Sequence, residues 1–284
     1  MNRRQFLKRS FLAAAGAAVT VPYYATMVEP HWVDYVHQTL PVRNLPAHLQ
    51  GKTLIQLTDL HIGRVVDSGY LRHVFQQIQA LNPDYVVYTG DFVSYNDASQ
   101  VVQMGEVMQT APVGRLATVG ILGNHDYGHG WYEAEVGAAI TRKLNDLGID
   151  ILRNERRTYH GLDIVGIEEL WFPGFDITTA EAALADSHRP TVVLCHNPDG
   201  ADYPMWGDYD GLILCGHTHG GQCKPPFLPA PLVPVNNKRY TAGLIPVHAN
   251  GRSLYINRGL GHADLQVRFN ARPEVTVFTL KDKT

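Results

Sequence analysis

The sequence predicts an α/β fold followed by a second, largely antiparallel sheet, and three features of the chain predict it. Between residues 53 and 222, short apolar runs typical of strands alternate with stretches whose apolar residues recur at helical spacing. After Pro225 the pattern changes to short alternating segments separated by turns, which is typical of antiparallel strands. Residues with nitrogen or oxygen atoms in their side chains directly follow five of the apolar runs. Open sheets of this class place their ligand-binding sites at this end of the strands.

The individual elements follow from apolar content and spacing. We expect strands at 53–58, 84–89, 116–122, 191–194 and 212–215, with short strands near Ile151 and over 162–167. A helix that Ser68 caps is predicted from the apolar stripe of Leu71, Val74, Phe75, Ile78 and Leu81, and further helices are predicted over 97–109 and 131–147. The second sheet is predicted from the segments 243–249, 253–257, 266–270 and 275–280.

The composition is that of an ordinary globular protein. Of the 284 residues, 45% are hydrophobic and 18% charged, which allows a sizeable core. The net charge of −3 provides no basic surface for a polyanion, so no nucleic-acid partner is expected. Three cysteines are too few for a secreted disulfide framework, although a pairing of Cys215 with Cys223 stays open.

The amino terminus is predicted to be an export signal. Arg3 and Arg4 precede Phe-Leu-Lys and an uncharged, alanine-rich run over 11–21, which are the features of a twin-arginine signal. The run is shorter than the ~20 residues that span a bilayer, which disfavours a transmembrane anchor, and it is apolar on every side, which disfavours an amphipathic first helix. We expect residues 1–25 to be the signal segment, 26–50 a linker or arm, and 51–284 the main folded domain. Retention of the signal as an anchor, and association of the aromatic arm with a membrane surface, stay open.

Residues that suit a metal follow five predicted strands. They are Asp59 and His61 after the first strand, Asp91 after the second, Asn124 with His125 and Asp126 after the third, His196 after the fourth, and His217 and His219 after the fifth. Taken singly, each motif is also compatible with solvated loop residues, but the recurrence favours one shared site. Nitrogen and oxygen donors without thiolate suit manganese, iron, zinc or cobalt, and the sequence does not choose among them.

In order and spacing these motifs resemble the calcineurin-like metallophosphoesterase superfamily, and the resemblance spans residues 53–260. The twin-arginine start, Gly220-Gly221-Gln222 and the segment 235–244 are similar to exported bacterial phosphodiesterases of the YaeI and YkuE type. The resemblance implies a four-layer α/β/β/α sandwich with two mixed sheets.

The resemblance also implies a site with two divalent metal ions, Mn²⁺, Fe²⁺/Fe³⁺ or Zn²⁺. It assigns one ion to Asp59, His61 and His219, the other to Asn124, His196 and His217, and the bridging position to Asp91. Two such ions ~3.5–4 Å apart share a water, lower its pKa and bind phosphoryl oxygens in the transition state. His125 would face the leaving group as the general acid, with Asp126 holding its ring.

The function that this resemblance implies is hydrolysis of phosphodiester bonds by a metal-bridging hydroxide. The expected enzyme is a monomer exported by the twin-arginine machinery to the periplasm or the outer face of the cytoplasmic membrane, with a small or lipid-linked phosphodiester as substrate. One alternative is a pyrophosphatase of the UDP-2,3-diacylglucosamine type in lipid A synthesis, although such a nucleotide substrate is cytoplasmic. A non-catalytic binding module on the same fold is a second alternative, which the full set of ligands disfavours. The metal site leaves open whether monoesters or diesters are preferred.

Substrate-binding residues are only weakly indicated. Asn124, His129, Arg258 and His262 are candidates because they lie near the motifs or in glycine-rich turns. For the same reason, further candidates for the pocket lining are Tyr127, Trp131, Trp171, Phe172 and Arg239.

Overall fold

Two six-stranded mixed sheets form the centre of the computed structural model, which describes residues 2–186, 188–247 and 251–283. In chain order the strands are β1 (Asp34–Val42), β2 (Thr53–Leu57), β3 (Tyr85–Thr89), β4 (Ala117–Ile121), β5 (Asp150–Ile151), β6 (Glu155–Tyr159), β7 (Leu162–Gly166), β8 (Thr191–Leu194), β9 (Leu212–Cys215), β10 (Gly243–Pro246), β11 (Ser253–Ile256) and β12 (Glu274–Asp282). The helices are α1 (Arg3–Tyr23), α2 (Ser68–Ala80), α3 (Ser99–Met108), α4 (Ala134–Asp146) and α5 (Ile177–Leu184).

The strand order brings many carboxyl ends together. The first sheet has the order β1-β12-β2-β3-β4-β5, in which β2 to β5 are parallel and β12 runs antiparallel to β2. The second sheet has the order β10-β11-β9-β8-β7-β6, in which β7, β8, β9 and β11 are parallel and the two edge strands are antiparallel. The parallel strands of each sheet therefore end at one edge, where loops can meet.

Alternation of side chains along the strands divides the core into layers. In β2, Leu54 packs into the cluster between the two sheets, while Ile55 and Leu57 pack against the helices on the outer face. The outer face of the first sheet is covered by α2, α3 and α4, and that of the second by α5 and the loops after β8 and β9. This is the four-layer α/β/β/α arrangement, and the sequence-based expectation for the fold is confirmed.

Helix α2 shows why the local sequence folds as it does. Asp67 caps it by accepting the backbone N–H groups of Gly69 and Tyr70, whereas the cap predicted at Ser68 is the first helical residue. Phe75 and Ile78 are fully buried on its inner face, and burial of each stabilises the fold by roughly 1.5–3 kcal/mol. Leu81, predicted as part of the stripe, lies past the helix end and is half exposed.

The carboxyl-terminal third differs from the prediction. Strand β12 joins the first sheet, between β1 and β2. Most of its side chains are buried on both faces, as in a central strand, and the alternating pattern alone does not show which sheet it joins. The segment 266–270 forms no strand; only Phe269 makes an isolated bridge, to Cys223. The central strands of the second sheet are parallel, and β1 lies in the segment predicted as an arm. All three cysteines are free, so the pairing of Cys215 with Cys223 is absent.

Helix α1 continues through a π-helical turn, Tyr24–Val28, and a short 3-10 helix, Glu29–His31. Within the described residues, Arg3–His31 is the one helical segment long and apolar enough to cross a membrane, a criterion that a signal sequence also meets. Its first part is exposed, whereas Ala25, Glu29 and Pro30 are buried against the domain.

Candidate active site

The seven predicted metal ligands converge at the carboxyl edge of both sheets. Asp59 and His61 follow β2, Asp91 follows β3 and Asn124 follows β4, all in the first sheet. The second sheet contributes His196 after β8, and His217 and His219 after β9. All seven side chains belong to residues that are at most 5% exposed. Polar side chains this deeply buried need partners that compensate for the lost hydration.

One cluster consists of Asp59, His61 and His219. The Nε2 atoms of His61 and His219 lie 3.0 Å apart, and Oδ1 of Asp59 lies 3.3 Å from Nε2 of His219. The carboxylate of Asp59 is held by the Thr58 hydroxyl, which donates to Oδ2 at 2.7 Å, and by the backbone N–H of His217. The three ligand atoms form a group compact enough for one metal ion.

A second cluster consists of Asp91, His196 and His217, with Asn124 beside it. Oδ2 of Asp91 and Oδ1 of Asn124 each lie 3.3 Å from Nε2 of His196. The same Asp91 oxygen lies 3.6 Å from Nε2 of His61 in the first cluster. Asp91 therefore lies between the two groups of candidate ligand atoms, at the position predicted for a bridging ligand.

Hydrogen bonds behind the histidine rings fix which nitrogen faces the site. Nδ1–H of His196 donates to the carbonyl of Thr89 at 2.7 Å, and Nε2–H of His217 donates to the carbonyl of Pro234 at 2.9 Å. These bonds leave Nε2 of His196 and Nδ1 of His217 as the ring atoms that face the site; the latter carries a lone pair, and the former gains one when a metal ion replaces the proton that Asp91 stabilises there. Imidazole nitrogens and carboxylate oxygens gathered this closely in a buried site need protons or cations between them, so the residues present fit metal ions.

Burial and neighbouring charges shift the pKa values of these side chains in directions that suit metal binding. Burial lowers the pKa of His61 and His217 to about 3 and that of His219 well below its ordinary value. These imidazoles are therefore neutral at pH 7, and each can offer a nitrogen lone pair to a metal ion. Burial raises the pKa of Asp59 to about 6, although His196 opposes the shift. Burial also lowers the pKa of His196, but the Asp91 carboxylate outweighs it and raises that pKa well above the ordinary range. A site that draws a proton this strongly also attracts a divalent cation.

The backbone at the predicted ligands is strained. Five of the seven have positive φ: Asp59 (50°), His61 (47°), Asp91 (54°), His217 (73°) and His219 (52°). A non-glycine residue in this region costs about 1–2 kcal/mol, and such strain clusters at functional sites.

Glycine is required next to Asp91. Gly90 has a φ of +99°, and a Cβ there would lie 2.6 Å from Nδ1 of His196, the atom that donates to Thr89. The predicted Gly-Asp motif therefore lets β3 and the loop after β8 approach closely enough to share the site.

His125 lies at the edge of this centre. Its backbone N–H donates to Oδ1 of Asp91 at 2.9 Å, and its half-buried ring packs edge-on against His61, with centroids 4.9 Å apart. The ring lines a cleft of ≈180 Å³ together with Arg64, Ser94 and Asn96. A ring that borders both the ligands and an open cleft can deliver a proton to a bound group.

Asp126 is placed differently from the prediction. Its Oδ1 accepts the backbone N–H groups of Phe92 and Val93 at 2.9 and 3.2 Å, and its Oδ2 accepts that of Gly123 at 2.9 Å. The carboxylate thus joins the loop that carries Asp91 to the loop that carries Asn124. It holds the backbone of both loops instead of the ring of His125.

The weak substrate candidates separate into two groups. Trp131 and Trp171 stack on each other at 4.9 Å, and they contact the rings of His125 and His217, respectively, so both border the site. The other candidates contact neighbouring side chains or the core. His129 is exposed beside Glu133, Arg258 pairs with Glu274 and Asp34, and His262 is buried. Tyr127 and Phe172 stack on each other in the core, and Arg239 lines a separate cavity with Tyr240.

Sequence reasoning missed three buried ionisable residues at or near the site. Glu168 and Glu169 follow β7, and Glu169 is 1% exposed with Oε2 unpartnered. The signal was available, because Gly166-Ile167-Glu168-Glu169 after an apolar strand repeats the pattern that identified Asp91. Arg268 is fully buried, donates to the carbonyls of Gly261 and Ala271, and lies 3.4 Å from Nδ1 of His219. No local pattern marks it.

Comparison with known proteins agrees with this geometry. Residues 52–221 match the family model of the calcineurin-like phosphoesterases. The chain is 34% identical to the uncharacterized metallophosphoesterase YkuE of Bacillus subtilis, over 99% of its own length and 98% of that protein. It is 30% identical to the phosphodiesterase YaeI of Escherichia coli, over 96% and 98%, respectively. It is 25% identical to the UDP-2,3-diacylglucosamine pyrophosphatase LpxG of Chlamydia muridarum, over 94% and 95%.

Proposed function

The chain belongs to the calcineurin-like phosphoesterase family, a family of metal-dependent hydrolases, and from this premise we propose that it hydrolyses phosphodiesters outside the cytoplasm. The observation that carries the proposal is the convergence of seven buried side chains from both sheets into two adjoining ligand clusters that share Asp91. Its diester preference is supported by the similarity to YaeI, which is named a phosphodiesterase.

Two divalent ions would be held by this chain. Asp59, His61 and His219 would hold one and Asn124, His196 and His217 the other, with Asp91 between them. When bound, the ions supply Lewis-acid stabilisation of the phosphoryl oxygens and make a water acidic enough to attack phosphorus at neutral pH.

His125 would supply the proton that the leaving alcohol needs. Its backbone N–H is fixed on Asp91, and its ring faces the cleft with Trp131 at 6.0 Å on the other side. The ring can therefore donate from the cleft side to a leaving oxygen and recover a proton from solvent. Asp126 acts as a positioning residue by holding the two loops on which Asp91 and Asn124 lie.

A series of leaving groups tests the acid. His125→Ala is expected to keep both metals and to lose most of its turnover, and the loss should grow with the pKa of the leaving alcohol to about 10²–10⁴ for alkyl esters. Rates are measured on bis(4-nitrophenyl) phosphate and on alkyl diesters with protein whose metal content is known. The exposed His129, changed to alanine, is the matched control. A wild-type rate on the alkyl diesters, or a loss independent of the leaving group, contradicts the assignment.

The location is proposed from the amino terminus. Residues 1–25 would direct export by the twin-arginine machinery, because Arg3 and Arg4 precede an exposed apolar helix. Residues 26–50 would connect this segment to the catalytic domain over 51–284, and β1 within them would dock on β12. Cell fractionation of the wild type and of a variant with Arg3→Lys and Arg4→Lys tests the route. Equal amounts of both proteins outside the cytoplasm would contradict it.

A nucleotide-lipid pyrophosphatase is the second candidate. Its support is the similarity to LpxG, which covers nearly all of both chains. The two candidates share the metal chemistry and differ in substrate and in the side of the membrane. Hydrolysis of UDP-2,3-diacylglucosamine at a rate well above that of simple diesters, by protein found on the cytoplasmic side, would favour this candidate over the first.

A further inference from the structure

The loop after the fifth ligand strand exposes an apolar surface. Residues 225–234 are ten consecutive residues without a polar side chain, and none of them is buried. The relative exposure is 104% for Phe227, 59% for Leu228 and 81% for Leu232. Contiguous apolar surface of this kind marks contact with an apolar partner.

A groove separates this loop from the loop at 262–269. The groove has a volume of ≈370 Å³, with His219 at its inner end, Pro231 and Leu232 on one wall and Leu265 on the other. Leu265 is 67% exposed, so both rims carry leucines that face solvent. A groove with mostly apolar walls therefore lies between the protein surface and His219, one of the predicted metal ligands.

The polar cleft beside His125 adjoins the apolar groove beside His219. Asp264 lines both cavities, so they meet at this residue. The cleft offers Arg64, Ser94 and Asn96, whereas most of the groove's exposed wall is apolar and is formed by residues such as Pro231, Leu232 and Leu265. This pair of cavities fits a molecule with a polar part and a hydrocarbon part on either side of the phosphorus.

Helix α1 leaves the domain from the same face. The carbonyl of Ala25 accepts the backbone N–H of Arg268 at 2.8 Å, and the carbonyl of Thr26 accepts Nε2–H of Gln266 at 3.2 Å. Phe269 packs edge-on against Tyr24. The end of an exposed apolar helix is thus fixed to the loop that forms one wall of the groove.

We propose that the 225–234 loop and Leu265 insert into the surface of a lipid bilayer, and that the groove takes the hydrocarbon of an amphiphilic phosphodiester from that bilayer. A membrane is the occupant favoured by the structure because a proline-rich loop without hydrogen-bonding side chains stands beside an exposed apolar helix. The part concerning the substrate rests on the proposed phosphodiesterase activity, whereas insertion of the loop does not.

Insertion is tested by fluorescence quenching in the full-length protein. Phe227→Trp is compared with Leu244→Trp, because Leu244 is 60% exposed but lies on the edge strand β10. Each variant is reconstituted in phosphatidylcholine–phosphatidylglycerol vesicles with brominated acyl chains, and the quenched emission beyond that of wild type is measured. Quenching at position 227 and none at 244 is expected. Equal quenching at both, or dimers that Phe227→Ser converts to monomers, overturns membrane insertion.

The substrate class is tested by a ratio of rates. Phe227→Ser combined with Leu228→Ser is expected to lower hydrolysis of a vesicle-embedded phosphodiester, relative to soluble bis(4-nitrophenyl) phosphate, by about tenfold, whereas Leu244→Ser keeps the wild-type ratio. An unchanged ratio in the double variant overturns the amphiphilic substrate. If wild type hydrolyses neither compound, the phosphodiesterase proposal fails, and quenching still decides insertion.

Discussion

Replacing Asp126 with asparagine distinguishes a carboxylate that holds loops from one that orients a ring. In the structure its two oxygens accept three backbone N–H groups, those of Phe92, Val93 and Gly123. An amide retains one accepting oxygen, which can keep Phe92 and Val93. The amide nitrogen cannot accept, so the buried N–H of Gly123 loses its partner.

The expected loss of stability follows from that one group. A buried donor left without a partner costs about 1–3 kcal/mol, and with the weakened remaining bonds we expect Asp126→Asn to lose about 2–4 kcal/mol. This corresponds to a melting temperature lowered by about 4–12 °C. Because the two loops carry Asp91 and Asn124, metal affinity should fall as well, and excess metal should restore much of the activity.

The assay combines unfolding of the metal-free protein with metal analysis and turnover. Asp84→Asn is the control, because Asp84 also accepts a backbone N–H, that of Thr53, but lies at the start of β3, away from the ligands. It should lower stability and leave metal content unchanged. The reasoning is refuted if Asp126→Asn unfolds like wild type, keeps both metals and loses turnover with the same leaving-group dependence as His125→Ala.

Three further predictions follow from contacts at and near the site. Asp91→Ala should reduce the bound metal from two ions to one or none by elemental analysis, because Asp91 adjoins both clusters; two retained ions would contradict the bridging role. Gly90→Ala should displace His196 and lower metal affinity in competition with a chelator, since the added Cβ would lie 2.6 Å from its ring, and an unchanged affinity would show that the loops yield freely. Burial lowers the pKa of His262 to about 4, so the unfolded chain, with a histidine pKa near 6.5, takes up the proton first, and stability present above pH 6.5 is lost as the pH falls toward 4. His262→Leu should flatten this loss by up to about 3 kcal/mol in urea unfolding at pH 7 and pH 4.5; a slope equal to that of wild type would refute it.

The site was predictable where sequence and sheet geometry act together. Parallel strands end at one edge of a sheet, which predicts that the polar residues after β2, β3 and β4 meet and that those after β8 and β9 meet; the packing of the two sheets then brings both groups together. The role of Asp126 was not predictable, because its partners are backbone N–H groups of another loop. The burial of Arg268 was not predictable for the same reason, because it donates to backbone carbonyls that only folding brings close to it.

The fold was predictable in its parallel core and less so elsewhere. Short apolar runs gave β2, β3 and β4 within one or two residues. Strand β12 was assigned to the wrong sheet because alternation identifies a strand without naming its neighbour. Strand β1 was missed because its alternation is interrupted by exposed polar residues at an edge of the sheet.

The left-handed backbone conformation at five of the predicted ligands lowers the thermal stability of the protein, whereas metal binding requires these side chains. Glycine at Asp59, His61, Asp91, His217 or His219 would relieve about 1–2 kcal/mol of local strain at each position. A directed-evolution campaign that selects only for survival at high temperature should therefore accumulate glycines at these codons. The selected variants would be more thermostable but would no longer bind metal or hydrolyse substrate. A screen that also measures metal binding would exclude them.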